Sequence, residues 1–325
     1  MKSFRPIKTA AVAASGLVLV ASMAACSRPA ADQAQAATDQ TTLRVGVGID
    51  AAYAPFFVAD AEGMFTKAGL KVELVQFGRG GEAVDAVNAG EINLAGNSDT
   101  TTAAQMASSD KLRAIASYES SGQYIKAVLR DGLSGPKDVK KLGYVQGLSQ
   151  IATNKYLEAN GIDPKSVELV TAAPADMPAL LRRGDIDGYV MWEPWPQTAV
   201  DQKIGHVDAN SAAFGFSYHH WLVTNEAWLS GHEKTAQKFT KVLDEAAKKT
   251  EADPDLAATV TEKAVKIKPA DTKVAIDQID FAVESLGTES VKSTTEIVDF
   301  YQSIGAIKSR PDLSKALVLD WYKGV

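Results

Sequence analysis

Two hydrophobic rhythms alternate along this chain. Leu43-Arg44-Val45-Gly46-Val47-Gly48-Ile49 has the two-residue period and β-branching of a strand. A helix over about 55–66 follows, with Pro55 placed to start it and Gly69 to stop it. Residues 72–77 read as a second strand. Gly78-Arg79-Gly80-Gly81 turns into a helix that ends near Ala89, and residues 92–95 read as a third strand. The order β-α-β-α-β predicts a parallel sheet covered by helices. A helix over about 100–107 and a strand over 112–118 extend this lobe, and residues 125–129 form a strand leading out of it.

The rhythm then starts again. Residues 142–145 predict a strand, and Gly147-Leu148-Ser149 opens a helix to Glu158 with Ser149 as its cap. A strand over 167–170, a helix over 176–183 and a strand over 186–191 follow. Trp192-Glu193-Pro194-Trp195-Pro196 is expected to continue neither helix nor ladder. Residues 219–224 read as a strand returning to the first lobe, and from Asn225 onward the pattern is helical. Phe239, Val242, Leu243 and Ala246 make one packing stripe, and Ile297, Phe300, Tyr301 and Ile304 another.

The two halves also share wording. Ala-Val-Asn-Ala-Gly-Glu-Ile-Asn-Leu-Ala at 86–95 is echoed by Leu-Leu-Arg-Arg-Gly-Asp-Ile-Asp-Gly-Tyr at 180–189, which puts Gly90 and Gly184 94 residues apart. Upstream, Gly69 and Gly161 lie 92 apart, and Glu73 and Glu168 lie 95 apart. Matches in one order at nearly one spacing predict an α/β unit used twice, and the spacing exceeds any solenoid repeat. Two such lobes leave a cleft where a small molecule can bind. The expected division is 43–128 plus 222–325 for lobe one and 129–221 for lobe two.

Residues 1–26 are read apart from these lobes. Lys2, Arg5 and Lys8 precede a small apolar run that ends Met23-Ala24-Ala25-Cys26. This is the layout of a secretory signal and resembles a bacterial lipobox, with Met23 in place of the usual leucine. Cys26 is the only cysteine, so lipidation is expected there and no intrachain disulfide can form. Residues 27–42 read as a flexible tether. Loss of the three signal cations takes the formal charge from −6 to −9. That acidity argues against nucleic acid, and any attraction for an anion must be local.

Ala54-Pro55-Phe56-Phe57-Val58-Ala59, Glu62-Gly63-Met64-Phe65 and Ala68-Gly69-Leu70 resemble the opening of the substrate-binding proteins of ABC importers for nitrate, taurine and aliphatic sulfonates. The resemblance runs through 81–97, Gly147-Leu148-Ser149, Asp185-Ile186-Asp187 and Trp192-Glu193-Pro194 to the tail Val298-Asp299-Phe300-Tyr301 and Gly305-Ala306-Ile307. It implies a bilobal periplasmic-binding-protein fold of type II, with two doubly wound α/β lobes joined by two crossing strands. It implies capture of a small oxyanion, no catalysis and no cofactor. It implies delivery to an ABC permease and its ATPase by a monomer held on the outer face of a bacterial membrane through its lipid alone. Relatives of the group bind a pyrimidine precursor of thiamine, so an aromatic amine is the alternative ligand. Glu193, Trp195 and Gly147-Leu148-Ser149 depart from the usual sulfonate-binder residues.

Ligands of open α/β sheets sit beyond the carboxyl ends of the strands. That rule gathers Asp50, Tyr53, Arg79, Gly80, Gly81, Asn97, Ser98, Asp99, Thr100, Ser149, Gln150, Trp192, Glu193 and Tyr218 around one space. Helix N-termini there offer free N–H groups to an oxyanion. Arg79 can pair with an anion or stand solvated. Asp50 and Glu193 can hold an amine or cap helices, and Asp99 reads as a cap. Trp192 can wall the ligand or fill the core. His219 and His220 point to opposite faces of a strand, so a shared metal ion is not expected. Two other classes are weighed. Gly46-Val47-Gly48-Ile49-Asp50-Ala51 with Glu73 formally fits a dinucleotide fingerprint, but Ala54-Pro55 delays the helix. An exported sensor would share every feature of a transport protein.

Overall fold

A computed structural model describes residues 42–323; the signal, Cys26 and nearly all of the tether lie outside them. The first lobe runs β1 (Leu43–Val47), α1 (Ala54–Ala61), α2 (Met64–Lys67), β2 (Val72–Gln76), α3 (Gly80–Ala89), β3 (Leu94–Ser98), α4 (Asp99–Met106) and β4 (Leu112–Ser121). The second runs β5 (Ile125–Arg130), β6 (Lys141–Tyr144), α5 (Leu148–Ala159), β7 (Glu168–Thr171), α6 (Met177–Arg183), β8 (Gly188–Trp192), α7 (Trp195–Asp201) and β9 (Gly205–Asn210). β10 (Tyr218–Asn225) returns to the first lobe, followed by α8 (Glu226–Ala252), α9 (Pro254–Val265), α10 (Pro269–Ile276), α11 (Thr288–Ser303) and α12 (Leu313–Ala316).

Each lobe is one five-stranded sheet, in the order β2-β1-β3-β10-β4 and β7-β6-β8-β5-β9. The two are the same design. Three parallel strands (β1 with β2 and β3; β6 with β7 and β8) meet an antiparallel strand next to a crossing, β10 or β5, and a fifth strand pairs with that one. The repeated glycines explain the echo in the sequence. Gly90 and Gly184 have φ of 76° and 75° and cap α3 and α6, with N–H groups donating to Ala86 and Val87 and to Leu180 and Leu181. The next residues, Glu91 and Asp185, donate to the same Ala86 and Leu180 carbonyls at 2.9 and 3.0 Å. This six-to-one closure needs a left-handed residue, which glycine adopts without a Cβ penalty.

Sheet pairing moves both crossings from the expected places. Residues 125–128, assigned to lobe one, pair with β8 and β9, and residues 218–221, assigned to lobe two, pair with β3 and β4. The chain therefore changes lobes at 122–124 and 211–217. Gly63, at φ 63°, splits the first expected helix into α1 and α2. Ser149 does not cap α5, whose N-cap is Gly147. α7 begins inside the proline-rich run because Pro196 falls in its first turn, where no N–H is needed.

Strand alternation separates the packing faces. Val128, Tyr189 and Met191 pack with Met177 and Leu181 on one face of the second sheet, while Ala127, Leu129 and Val190 join Ile151 and Tyr156 on the other. The tail packs on lobe one. Phe239 of α8 stacks on Phe65 with centroids 5.1 Å apart and lies 6.2 Å from Phe56 of α1. Bridges from Asp280, Glu284 and Leu317 extend the outer edge of β4. Of the second predicted stripe, Ile297 and Tyr301 are buried, Phe300 is half-buried and Ile304 is exposed. Among the described residues no helix is long and apolar enough to cross a membrane.

Candidate functional site

A cavity of about 430 Å³ opens between the carboxyl ends of the two sheets. Lobe one lines it from the turns after β1, β2 and β3 and from β10 through Tyr218 and His220, lobe two from the turns after β6 and β8, and the first crossing contributes Tyr124. Of the residues expected there, Asp50, Tyr53, Arg79, Gly80, Gly81, Asn97, Ser98, Gln150, Trp192 and Tyr218 line the cavity. Asp99, Thr100, Ser149 and Glu193 do not, and each has a structural reason.

Ser149 is fully buried; its Oγ accepts from the Val145 N–H at 3.1 Å and donates to the Val190 carbonyl at 2.6 Å, tying α5 to its own sheet. Glu193 is buried in a pair with Lys126 of β5, and its other oxygen accepts from the Gln197 N–H at 3.0 Å, capping α7. Asp99 accepts from the Thr100 N–H at 2.6 Å and from the His219 N–H at 3.2 Å. The Thr100 hydroxyl donates to Ser98 Oγ at 3.2 Å. All four therefore hold the walls in place from behind.

Asp50 caps the short turn before α1, its Oδ1 accepting from the Ala52 N–H at 2.9 Å and from the Tyr124 hydroxyl at 3.4 Å. Burial lifts its carboxyl to about pH 6, a rise that Glu119 reinforces and that His220 and the two hydrogen bonds oppose. Burial, with Asp50 and Glu119 adding to it, also holds the Tyr53, Tyr118, Tyr124 and Tyr218 hydroxyls far above the usual phenol range, so all four are protonated. Tyr53 donates to the Gly96 carbonyl at 3.2 Å and Tyr124 to the Glu193 carbonyl at 2.9 Å. The Tyr218 hydroxyl is buried without a hydrogen bond among the described residues.

The two histidines separate as strand neighbours must. His219 Nδ1 faces Asp99 at 3.6 Å and His220 Nδ1 faces Glu119 at 2.9 Å. Burial opposes charge on His220, but Glu119, with Asp50 and Asp99 adding to it, outweighs it and raises the imidazole; burial likewise raises Glu119. Neither Glu119 oxygen is aligned for a hydrogen bond among the described residues, so the contact is a charge pairing, and the Tyr118 hydroxyl lies 3.0 Å from the same His220 Nδ1. At the rim, Arg79 is paired with Glu82 at 2.8 Å. The amides of Gly80 and Gly81 open α3 toward the cavity, and the first N–H groups of a helix have no intrahelical partner. A Cβ on Gly80 would lie 2.0 Å from Asn97 Oδ1, so only glycine lets backbone approach this closely.

The lobes touch across the cavity. Thr101 Oγ1 on α4 accepts from the Leu148 N–H at the start of α5 at 3.2 Å, and a Cβ on Gly147 would lie 2.1 Å from that oxygen. A lobe-one hydroxyl thus caps a lobe-two helix that has no side-chain cap of its own. Sequence reasoning missed Thr101 and Gln105, although their three- and four-residue steps from Ser98 put them on one face of α4. It also missed Tyr124 and Tyr301, which reach the cavity from a crossing and from α11. The fingerprint glycines serve packing: a Cβ on Gly46 would lie 2.8 Å from Ile92 Cδ1 and one on Gly48 2.3 Å from the Tyr53 ring. Among the described residues no group of three or more His, Cys, Asp or Glu is placed to hold a metal ion.

The taurine-binding periplasmic protein of Escherichia coli K12 is 27% identical over 228 residues, covering 66% of this chain and 68% of that protein. The alkanesulfonate-binding protein SsuA of Xanthomonas axonopodis pv. citri, solved with MOPS bound, superposes with a TM-score of 0.73 at 18% identity, covering 85% of this chain and 97% of that one. The aliphatic sulphonate-binding SsuA of Escherichia coli gives 0.75 at 16% identity, covering 85% and 96%. These likenesses show the bilobal periplasmic-binding-protein fold. The NMT1-like family matches residues 36–265, well over half the chain, and the chain belongs to that family.

Proposed function

We propose that this protein is the extracytoplasmic solute-binding component of an ABC importer. It captures a small oxyanion of the sulfonate class between its lobes and hands it, chemically unchanged, to the permease and its ATPase. The observation that carries this reading is a cavity walled by both lobes and bridged by the Leu148–Thr101 hydrogen bond. A ligand touching both walls favours the closed form, because only differential affinity shifts such an equilibrium. The charged head belongs at the Gly80 and Gly81 amides with the Asn97 and Gln150 side chains near it, and the rest of the solute meets Tyr53 and Trp192. The likeness to a taurine-binding relative supports the solute class. Ser98, the serine of the described lining, donates to Thr101 Oγ1 at 2.9 Å and not to a histidine, so it is not paired with a base.

Thermal unfolding of the full chain with sulfonates and nitrate tests the reading. A true ligand at a hundredfold excess over its Kd raises stability by about 2.7 kcal/mol, and no response to any oxyanion overturns it. The same reading places a lipid on Cys26, an envelope location and a monomer. Mass spectrometry of the N-terminal peptide from bacterial membranes should show an acylated cysteine; an unmodified chain released to the medium contradicts it.

A further inference from the structure

The cleft is acidic where a site for a bare oxyanion would be basic. Asp50, Glu82 and Asp85 line it, while the only lysine or arginine to do so among the described residues, Arg79, is paired with Glu82. His220 is matched by Glu119. Asp85 is exposed and accepts from Gln105, so Asp50 is the half-buried acid of the lining without an ion pair of its own; the one counter-charge acting on it, His220, is shared with Glu119. Asp50 Oδ1 has the two contacts described above, its Oδ2 has no hydrogen bond among the described residues, and no lysine or arginine among them pairs with it. Tyr218, whose buried hydroxyl has no partner among the described residues, lines the same cavity. Tyr53, Tyr124 and Trp192 add aromatic surface. A partly desolvated carboxylate among aromatic rings attracts a cation and repels an anion. A buried hydroxyl without a partner is a group that a ligand can satisfy.

We propose that the solute carries a protonated amine that sits on Asp50, with its oxyanion held at the other side of the cleft: an aminosulfonate or similar zwitterion. The assignment rests on the oxyanion-binding reading above and adds the cationic half. It separates this site from one built for nitrate or an unsubstituted alkanesulfonate, neither of which offers Asp50 a partner. Asp50→Asn keeps the cap to Ala52 and removes only the charge. Tyr218→Phe keeps the ring and removes only the unpartnered hydroxyl.

Isothermal titration of the full chain, wild type and both variants, with taurine, ethanesulfonate and ethylamine tests this. Taurine should bind about tenfold or more tightly than ethanesulfonate, the range for a hydrogen bond to a charged group. Asp50→Asn should erase that preference, and Tyr218→Phe should weaken taurine about threefold or more. Equal affinity for taurine and ethanesulfonate, or a preference that survives Asp50→Asn, overturns the amine assignment and leaves the oxyanion reading standing. Ethylamine binding without either sulfonate overturns the oxyanion reading and keeps the amine on Asp50. No binding of any probe overturns both.

Discussion

Replacing Asp50 by asparagine should make the ligand-free protein more stable. The protein packed around the carboxylate desolvates it, so its pKa rises from 3.8 to about 6 on folding. Between those values the folded chain holds a proton that the unfolded chain has released. Stability therefore falls as pH rises through that window, and the full loss is present at neutral pH. At about 1.36 kcal/mol per pH unit the shift corresponds to about 3 kcal/mol. Asp50 is half-buried and partly open to the cavity, and water there reduces the figure to about 1–2 kcal/mol. His220, Glu119 and Tyr124 face the same carboxyl and stay in place in the variant. Urea unfolding of both proteins across pH should show no difference near about pH 4 and a gap that grows to a plateau above about pH 6.5. The melting temperature of the variant should rise by about 2–6 °C at neutral pH. A variant no more stable than wild type at neutral pH, or a gap independent of pH, refutes the reasoning.

Gly147→Ala puts a Cβ 2.1 Å from Thr101 Oγ1 at φ +95°; it should weaken ligand binding about tenfold, with about 1–3 kcal/mol of backbone strain, and small-angle scattering should show a more open particle. Ser149→Ala leaves the Val145 N–H and Val190 carbonyl unpaired, so denaturation should report a loss of about 1–3 kcal/mol while titration of the folded protein finds affinity unchanged. Lys126→Ala strands the buried Glu193 carboxylate and should cost about 3–5 kcal/mol in urea unfolding.

Local chemistry made the lobes legible. Gly90 and Gly184 announced two helix ends because a left-handed cap tolerates few other residues, and strand alternation in 43–49 and 72–77 placed the sheet beside them. The crossings were less legible, since Ile125, Ala127, Val128 and Leu129 suit either sheet and only pairing decides their lobe. β9, absent from the expected elements, is Gly-His-Val-Asp-Ala-Asn, which has little strand character; it is an edge strand that β5 completes. Within the site, the strand-end rule located the turns but could not say which way a side chain points. Ser149 sits at a helix start yet faces the sheet, and Glu193 meets a lysine 67 residues away in sequence. Tyr301 enters from α11, about two hundred residues beyond β3, with no local pattern to mark it.

The central claim is that one solute binds between the lobes and leaves unaltered. Isothermal titration of taurine into the full chain, with mass spectrometry of the solute recovered afterwards, tests it most directly. The account predicts saturation at one taurine per chain, weakened in Gly147→Ala, and a recovered mass identical to the starting material. Absence of binding by taurine and by every other oxyanion tried, or recovery of a chemically altered solute, contradicts it.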